Sequence, residues 1–233
     1  MERVVLGRTG LQVSRMGVGA GGPSQIGVKT GLSDVESVDL LCKAFDAGVN
    51  LVDTSEDYGT EEIIGSALQG RNRYEVIVSS KKSTRRVEVT PAALMESLDA
   101  SLQLLQTDYI DLYQMHWWFA DSPIEETLRT LDDLVRQGKV RYIGCSNYAA
   151  WQTCEAIWTS RMLCLESFVS IQPEWNMLYR ESEQELVPFS QAYNIGILPY
   201  YPLASGFLTG KYRRGDPIPE GTRLDKIPQM AKR

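Results

Sequence analysis

The 233-residue sequence predicts an α/β fold in which short buried strands alternate with helices. Short apolar runs have the composition of strands buried on both faces of a parallel sheet; they lie at residues 16–18, 49–52, 76–79, 110–114, 140–144, 168–171 and 195–200. Strands separated by helical patterns form a mostly parallel sheet covered by helices. These runs fit either a doubly wound sheet or a barrel that lacks its last strand, and the pattern alone leaves both open.

The helical patterns carry recognisable start and stop signals. Ser33 and Glu36 have the spacing of a capping box, and Gly48 lies where that helix would end. Proline suits the first turn of a helix, and leucines recur at helical spacing after two of the prolines. We therefore expect helices that begin near Ser33, Pro91 and Pro123, with a further candidate at residues 182–193.

The amino-terminal residues predict a β-hairpin. Residues 3–6 and 11–14 read as two short strands, and residues 7–10 between them form a turn sequence with glycine at both ends. No low-complexity tract or Gly/Ser-rich linker interrupts the chain after this hairpin. Residues 1–233 are therefore expected to form one domain.

Charge and hydropathy exclude two classes of partner. The formal net charge is -6 and no basic block stands out, which argues against nucleic-acid binding. The amino terminus has no apolar stretch suited to a signal peptide. No apolar run approaches the roughly 20 residues needed to span a bilayer. We expect a cytoplasmic protein that contacts neither nucleic acid nor a membrane.

The cysteines and the single histidine argue against a metal centre. A zinc site needs several cysteine or histidine ligands at short spacings, and this chain has one histidine and no CxxC pair. We interpret the cysteines as reduced, mostly buried thiols; they are Cys42, Cys145, Cys154 and Cys164.

The segment 17–22 matches the dinucleotide-binding pattern G-x-G-x-x-G and follows an apolar run. In a Rossmann fold such a loop leads directly into a helix whose amino terminus binds pyrophosphate. Here Pro23 and a polar, glycine-rich stretch follow, and the next helix signal is at Ser33. The required context is missing. We interpret the glycines as a strand-end loop that a ligand can approach closely, with a plain surface loop as the alternative.

Four polar residues fall at or just after the ends of predicted strands. They are Asp53, Tyr58, Lys81 and His116. In a parallel barrel this rim is where catalytic residues collect. Taken singly, each has an ordinary structural explanation, such as a capped loop or a packed ring. Taken together, they form a chemically coherent set at one end of one sheet.

The coherence lies in what the reduction of a carbonyl group requires. The reaction needs a hydride and a proton, and a free tyrosine titrates near pH 10, too high for ready proton transfer at neutral pH. A nearby ammonium favours the phenolate and lowers the pKa of the tyrosine, and a carboxylate keeps that ammonium charged. A histidine donates a hydrogen bond to the substrate oxygen. These residue types together predict a tyrosine that donates a proton, with its pKa lowered by a neighbouring ammonium.

At these residues the sequence closely resembles the aldo-keto reductase superfamily, in the branch that includes potassium-channel β-subunits and many bacterial reductases. The resemblance runs in order from residue 3 to about residue 223. The blocks that carry it are residues 50–59, 107–116, 138–147 and 201–212. It implies a (β/α)8 TIM barrel that binds NADPH along its carboxyl-terminal rim and reduces small-molecule aldehydes or ketones. It also implies that this chain lacks the carboxyl-terminal strand and helices.

The resemblance also implies a role for each matching residue. Tyr58 is the proton donor, Asp53 and Lys81 set its acidity, and His116 orients the carbonyl. Lys81 is preferred to Lys82 because it directly follows the predicted strand. The cofactor is expected at Gly19 and Ala20 in the strand-end loop, at Ser146, Asn147 and Gln172 for the carboxamide, at Tyr200 for the nicotinamide ring, and at Leu203, Gly206 and Lys211 for the pyrophosphate.

Two departures from the family pattern bear on function. An aromatic run at residues 117–119 follows His116, and it either lines an apolar substrate pocket or packs on its neighbours. The family continues past residue 233, through the part that grips the adenosine 2′-phosphate. A seven-stranded sheet has two unpaired edges, which indicates a truncation or a short form that swaps or dimerises. The preference for NADPH therefore rests on resemblance alone.

Other functions remain open on the sequence. The chain could be a cofactor-binding regulatory subunit of a larger complex, since channel β-subunits retain the same four residues. It could be a catalytically inactive fragment, or a Rossmann dehydrogenase if a helix began directly after Gly22. Its oligomeric state and physiological substrate are not readable from the sequence.

Overall fold

A computed structural model describes residues 1–84 and 89–227 of the chain. The strands are β1 (Arg3–Val5), β2 (Gln12–Ser14), β3 (Val18–Gly19), β4 (Leu51–Asp53), β5 (Ile77–Lys82), β6 (Ile110–Met115), β7 (Val140–Ser146), β8 (Ser170–Gln172) and β9 (Gly196–Ile197). The α-helices are α1 (Asp34–Asp46), α2 (Glu61–Leu68), α3 (Pro91–Leu105), α4 (Ile124–Arg136), α5 (Ala150–Leu163), α6 (Leu186–Tyr193) and α7 (Arg223–Lys226).

The strand order decides between the two folds that the sequence left open. Strands β3 to β9 form one seven-stranded sheet in sequential order, and every neighbouring pair is parallel. A doubly wound sheet reverses its strand order at a switch point, whereas a (β/α) barrel adds each strand next to the preceding one. The predicted barrel fold is therefore confirmed, with seven barrel strands in the part of the chain that the structure describes.

The predicted strands and hairpin are found, with shorter or shifted bounds. The hairpin pairs β1 with β2 antiparallel, with Arg3 opposite Ser14. The apolar runs at 195–200 and 168–171 form strands over Gly196–Ile197 and Ser170–Gln172, and Tyr200 adds one isolated parallel bridge to Glu174. A run of apolar residues indicates that a segment is buried. The bounds of the strand depend on the length over which the adjacent strands offer hydrogen-bonding partners.

The capping signals were accurate where a local motif encoded them. Ser33 accepts a hydrogen bond from the Glu36 amide, and the Glu36 carboxylate accepts one from the Ser33 amide at 2.8 Å. Pro91 occupies the first turn of α3, and Pro123 directly precedes α4. The candidate at 182–193 is wrong in its start, because α6 begins at Leu186 after a separate 3-10 turn.

Sequence patterns missed two helices, α2 and α5. Six of the eight residues of α2 are buried, and the helix has only about two turns, too few to show a clear helical period in the sequence. On α5 the apolar residues lie on both faces, and three of the large ones are exposed: Trp151, Trp158 and Met162. The sequence patterns also did not predict the short helix α7 near the carboxyl terminus, and residues 228–233 lie outside the described residues.

The hairpin closes one end of the barrel. Leu6, Leu11 and Val13 form a buried cluster with side chains at the starts of several core strands, among them Leu51 of β4 and Ile77 of β5. A larger core fills the space between the sheet and the helices. Because the amino-terminal end is covered by the hairpin, the open end of the barrel is the one where the strands finish. In the described part of the chain, no helix is long and apolar enough to cross a membrane.

Gly7, in the hairpin turn, packs closely against the backbone of the core strands. Gly7 has a φ of +51°, and a Cβ built there would lie 2.5 Å from the Gly196 nitrogen and 2.8 Å from the Val169 oxygen. Both atoms belong to backbone, which cannot move aside cheaply. We expect Gly7→Ala to lower the free energy of unfolding by about 2 kcal/mol or more, measured by urea denaturation.

Gly10→Ala is the matched control in the same turn. A Cβ at Gly10 would meet only the Tyr142 hydroxyl, at 3.9 Å. Its free energy of unfolding should stay within about 0.5 kcal/mol of the wild-type value. Equal losses in the two variants would contradict the packing argument.

Candidate active site

Strand register brings the predicted catalytic residues to one rim. Asp53 ends β4, while Lys81 of β5 lies opposite Gln114 of β6. His116 follows β6, and its amide donates to the Lys82 carbonyl at 3.0 Å. Because the strands are parallel and in register, their carboxyl ends meet at the open end of the barrel.

Lys81 is the most deeply buried cation of the rim. It lies within β5 rather than after the strand, and its side chain is 0% exposed. The ammonium Nζ lies 2.5 Å from Asp53 Oδ2 and donates to the Thr54 carbonyl at 2.7 Å. Side chains alternate along a strand, so the neighbouring Lys82 points elsewhere and pairs with Glu56.

The carboxylate of Asp53 is fixed by three donors. Besides the ammonium of Lys81, Ser79 Oγ donates to Asp53 Oδ1 at 2.8 Å and Gln172 Nε2 donates to the same oxygen at 3.1 Å. Burial lowers the pKa of Lys81, and the attraction of Asp53 acts in the opposite direction. The carboxylate is thus what stabilises the charged form of a fully buried ammonium.

Tyr58 and His116 meet above this ion pair. The Tyr58 hydroxyl lies 3.3 Å from His116 Nε2, and the two rings pack edge to face at 5.7 Å. The Lys81 ammonium lies 5.2 Å from the centre of the Tyr58 ring. On its other side, His116 Nδ1 lies 3.3 Å from Ser55 Oγ. The four residues singled out in the sequence therefore form one contiguous group.

The expected direction of the Tyr58 pKa shift is wrong for this arrangement. The pKa of Tyr58 is raised above its ordinary value, chiefly by burial and next by the negative charge of Asp53. The net shift of the Tyr58 pKa is upward even though the Lys81 ammonium lies 5.2 Å from the centre of its ring. A tyrosine is protonated at neutral pH even without a shift, so the raised pKa leaves Tyr58 in the form that has a proton to donate.

The residues that the resemblance assigns to the carboxamide of the nicotinamide form a connected polar network. Asn147 Nδ2 donates to Ser146 Oγ at 3.0 Å and to the His116 carbonyl at 3.1 Å. Ser146 Oγ donates to the Gln172 carbonyl at 2.9 Å. The Tyr200 hydroxyl donates to Asn147 Oδ1 at 2.8 Å. Through Gln172 and His116, this network adjoins the predicted catalytic group.

The remaining cofactor candidates lie in two loops. Gly19 pairs with Asp53 in the sheet, and the amide of Ala20 donates to the Asp53 carbonyl at 2.7 Å. In the second loop Gly206 has a φ of +103°, and a Cβ there would lie 3.4 Å from Lys211 Nζ. Leu203 is 53% exposed in that loop. The first loop joins the catalytic group, whereas the second supplies a close backbone turn beside a lysine.

The glycine motif does not open a helix, as the sequence indicated. Gly22 is followed by an irregular 3-10 segment, Gln25–Thr30, whose Ile26 and Gly27 have positive φ, and α1 begins only at Asp34. The glycines instead make room for the catalytic tyrosine candidate. A Cβ at Gly21 would lie 2.2 Å from the Tyr58 ring. The Rossmann alternative is therefore excluded.

The aromatic run after His116 divides between two environments. The ring of Trp117 stacks on the ring of His116 at a centroid distance of 5.8 Å. Trp118 instead packs edge to face on Tyr148 at 5.3 Å and on Trp151 at 5.8 Å. Packing on neighbours is thus correct for Trp118, while Trp117 borders the candidate site.

Sequence reasoning missed several supporting residues of the site. Gln114 is 0% exposed and its Nε2 donates to Ser79 Oγ at 3.0 Å, which in turn donates to Asp53. An amide side chain inside a strand predicted to be buried was the available signal for Gln114. Ser55 and Gly21 carried no sequence signal of their own, because their contacts depend on the fold. In residues 1–84 and 89–227, no group of three ligating side chains could hold a metal ion.

A parallel barrel with an acid, a buried lysine, a tyrosine and a histidine clustered at its open rim is the arrangement expected of an oxidoreductase fold. The chain belongs to the aldo/keto reductase family, because residues 15–232 match the model of the Aldo/keto reductase family. Members of this family act on small-molecule carbonyl compounds with a nicotinamide cofactor.

Similar proteins span both enzymes and channel subunits. A probable voltage-gated potassium channel subunit beta from Oryza sativa subsp. japonica is 35% identical over 248 residues, which cover 100% of this chain and 74% of that protein. An NADH-specific methylglyoxal reductase from Escherichia coli (strain K12) is 32% identical over 253 residues, covering 97% and 74%. The chain spans about three quarters of the length of each.

A solved structure shares the fold. The crystal structure of a thermostable aldo-keto reductase in complex with the inhibitor epalrestat superposes with a TM-score of 0.79 at 36% sequence identity. The superposition covers 87% of this chain and 73% of that one. The barrel architecture of the described residues is thus that of a family member.

The ion pair between Lys81 and Asp53 should show strong energetic coupling. Asp53→Asn leaves a fully buried ammonium without its counter-charge, which should cost about 2 kcal/mol after allowing for the partial exposure of Asp53. The Asp53→Asn/Lys81→Met double variant removes both charges and should lose less than the sum of the single changes. Chemical denaturation of the three variants and the wild type gives the coupling; simple additivity would contradict the assignment.

Proposed function

We propose that this chain reduces aldehydes or ketones to alcohols, with NADPH as the hydride source and Tyr58 as the proton donor. The observation that supports the proposal most directly is the buried Lys81 ammonium, paired with Asp53 at 2.5 Å and 5.2 Å from the Tyr58 ring. A positive charge close to a phenol stabilises the phenolate that remains when the phenol gives up its proton.

The proposed roles follow from the geometry of the group. Burial keeps Tyr58 protonated before the reaction, because it raises the pKa of the phenol. His116 Nε2, 3.3 Å from the Tyr58 hydroxyl, offers a hydrogen bond to the same substrate oxygen and orients the carbonyl. Asp53 keeps Lys81 charged. As the substrate oxygen gains negative charge, the proton of Tyr58 moves to it, and Lys81 stabilises the phenolate left behind.

The proposed cofactor would be held at the polar network and the adjoining loops. The hydroxyl and amide groups of Ser146, Asn147 and Gln172 suit a carboxamide, and the ring of Tyr200 suits the nicotinamide face. A side chain at Gly19 would meet no atom within 4 Å, which agrees with an open approach at this loop. Gly206 and Lys211 suit a pyrophosphate. When bound, the dihydronicotinamide supplies the hydride.

The choice of NADPH over NADH rests on family resemblance. One relative, the Escherichia coli methylglyoxal reductase, carries NADH specificity in its name. Both cofactors therefore belong in the first assay. We also propose a cytoplasmic location, which is consistent with free thiols at all four cysteines.

A second candidate function is a cofactor-binding regulatory subunit. The observation that favours it is the 35% identity to a protein named a probable potassium channel subunit beta. Such a subunit would bind cofactor without rapid turnover. Turnover with a simple aldehyde separates the two functions.

Tyr58→Phe tests the assignment of the proton donor. The substitution removes one oxygen and keeps the ring that packs on His116, so we expect kcat to fall on the order of 100-fold or more while cofactor affinity stays within about twofold. The assay follows NADPH or NADH oxidation with an activated aromatic aldehyde, and cofactor binding is measured by fluorescence titration.

The outcomes separate the alternatives. Equal turnover by Tyr58→Phe and the wild type would refute Tyr58 as the donor. Cofactor binding without turnover in either protein would support the regulatory function. If the protein neither binds the cofactor nor turns over substrate, that result would contradict both proposed functions for this chain.

A further inference from the structure

The turn that carries Tyr58 has little internal support. It is a single 3-10 turn, Glu56–Tyr58, and it leaves through Gly59 at a φ of +66°. Within it, the Tyr58 amide donates to the Ser55 carbonyl at 3.0 Å and the Asp57 amide donates to Ser55 Oγ at 3.4 Å. These local bonds shape the turn but do not fix it relative to the sheet.

Ser55 Oγ makes one long hydrogen bond from this turn to β5, to the Lys81 carbonyl at 3.4 Å, and the carboxylate of Glu56 makes the shorter and charged connections to the rest of the barrel. Its Oε1 accepts from the Ser83 amide at 2.6 Å and lies 3.0 Å from Lys82 Nζ. Its Oε2 accepts from the hydroxyl of Ser97 on α3. A charged acceptor with a cation and two further donors makes stronger bonds than a neutral group would. The Lys82 and Glu56 side chains are only 12% and 24% exposed, so water screens the pair weakly.

The segment that Glu56 binds is the continuation of the strand that holds the buried lysine. Lys81, Lys82 and Ser83 are consecutive, and the alternation of side chains along β5 directs Lys81 into the barrel and Lys82 to Glu56. Glu56 and Tyr58 in turn share one short turn. A displacement of the Glu56 carboxylate from β5 would therefore change the distance between Tyr58 and Lys81.

We propose that Glu56 is a positioning residue that fixes Tyr58 over Lys81 by joining the Tyr58 turn to the end of β5 and to α3. The inference rests on the proposed reductase function and goes beyond its four catalytic residues. Glu56 acts through the turn rather than on the substrate. Its loss changes the chemical step more than cofactor binding, because the cofactor candidates lie on other loops.

The test compares Glu56→Gln and Glu56→Ala with a matched control. Glu56→Gln keeps the size of the side chain but removes its charge, and Glu56→Ala removes all its contacts. Glu62→Gln is the control, because Glu62 is an exposed carboxylate in the first turn of α2, a few residues along the same chain. Lys82→Met removes only the cation and should give a smaller effect in the same direction.

Steady-state kinetics gives the first readout. We expect kcat to fall on the order of 10- to 100-fold in Glu56→Ala and less in Glu56→Gln. The cofactor dissociation constant of both variants should stay within about twofold of the wild-type value. The kcat of Glu62→Gln should equal that of the wild type. An unchanged kcat in Glu56→Ala would overturn the proposal. A loss of kcat matched by equal losses of cofactor affinity and thermal stability would show a merely structural role and would also overturn it.

A second readout does not depend on turnover, so it separates failure of this inference from failure of the proposed function. Protein labelled with 13Cζ-tyrosine is titrated by NMR, and the Tyr58 signal is assigned by its disappearance in Tyr58→Phe. Burial is the main cause of the raised Tyr58 pKa, with Asp53, Tyr201, Asp57 and Tyr200 adding to it. A turn released from β5 exposes the phenol to water.

We therefore expect the Tyr58 signal of Glu56→Ala to shift and to titrate at lower pH than in the wild type, while Glu62→Gln matches the wild type. This outcome supports the positioning role even if the wild type shows no reductase turnover. An unmoved Tyr58 signal with an unchanged titration in Glu56→Ala would overturn it, whatever the kinetics show.

Discussion

The buried ion pair between Lys81 and Asp53 is the interaction on which the candidate site depends. A fully buried ammonium is tolerated only beside a counter-charge and further acceptors, and Lys81 has the Asp53 carboxylate and the Thr54 carbonyl. Each member comes from a different strand, so the pair exists only when β4 and β5 are in register. The hydrogen bonds of Ser79 and Gln172 to Asp53 extend that requirement to β8.

The two ends of the barrel differ: one is packed with apolar side chains, and the other carries the polar side chains of the candidate site. At the amino-terminal end, the apolar side chains of the hairpin pack on those of the core strands, and the close contact of Gly7 leaves no space there. At the carboxyl-terminal end the interior becomes polar, because Ser79 connects Asp53 with Gln114 and Lys81 pairs directly with Asp53. The apolar core beneath the rim lowers the local dielectric constant, which strengthens the electrostatic interactions of the buried rim side chains.

The site is assembled from loops fixed by rigid strand ends. Tyr58 belongs to a turn rather than a strand, and its position depends on the contacts of Glu56 and Gly21 with other elements. His116 follows β6 directly and is held between Tyr58 and Ser55. Loops of this kind let one barrel present different side chains while the strands below remain unchanged.

Sequence alone determined the alternation of strands and helices, the capped start of α1, and the four polar residues that belong together. Each of these is encoded locally, by hydrophobic period, by capping chemistry or by a residue type at a strand end. Tertiary structure decided what depends on distant neighbours: the sequential strand order, the mostly buried helix α2, the supporting roles of Ser55 and Gln114, and the direction of the Tyr58 pKa shift. Burial and electrostatic balance are sums over residues far apart in the chain, so no local pattern contains them.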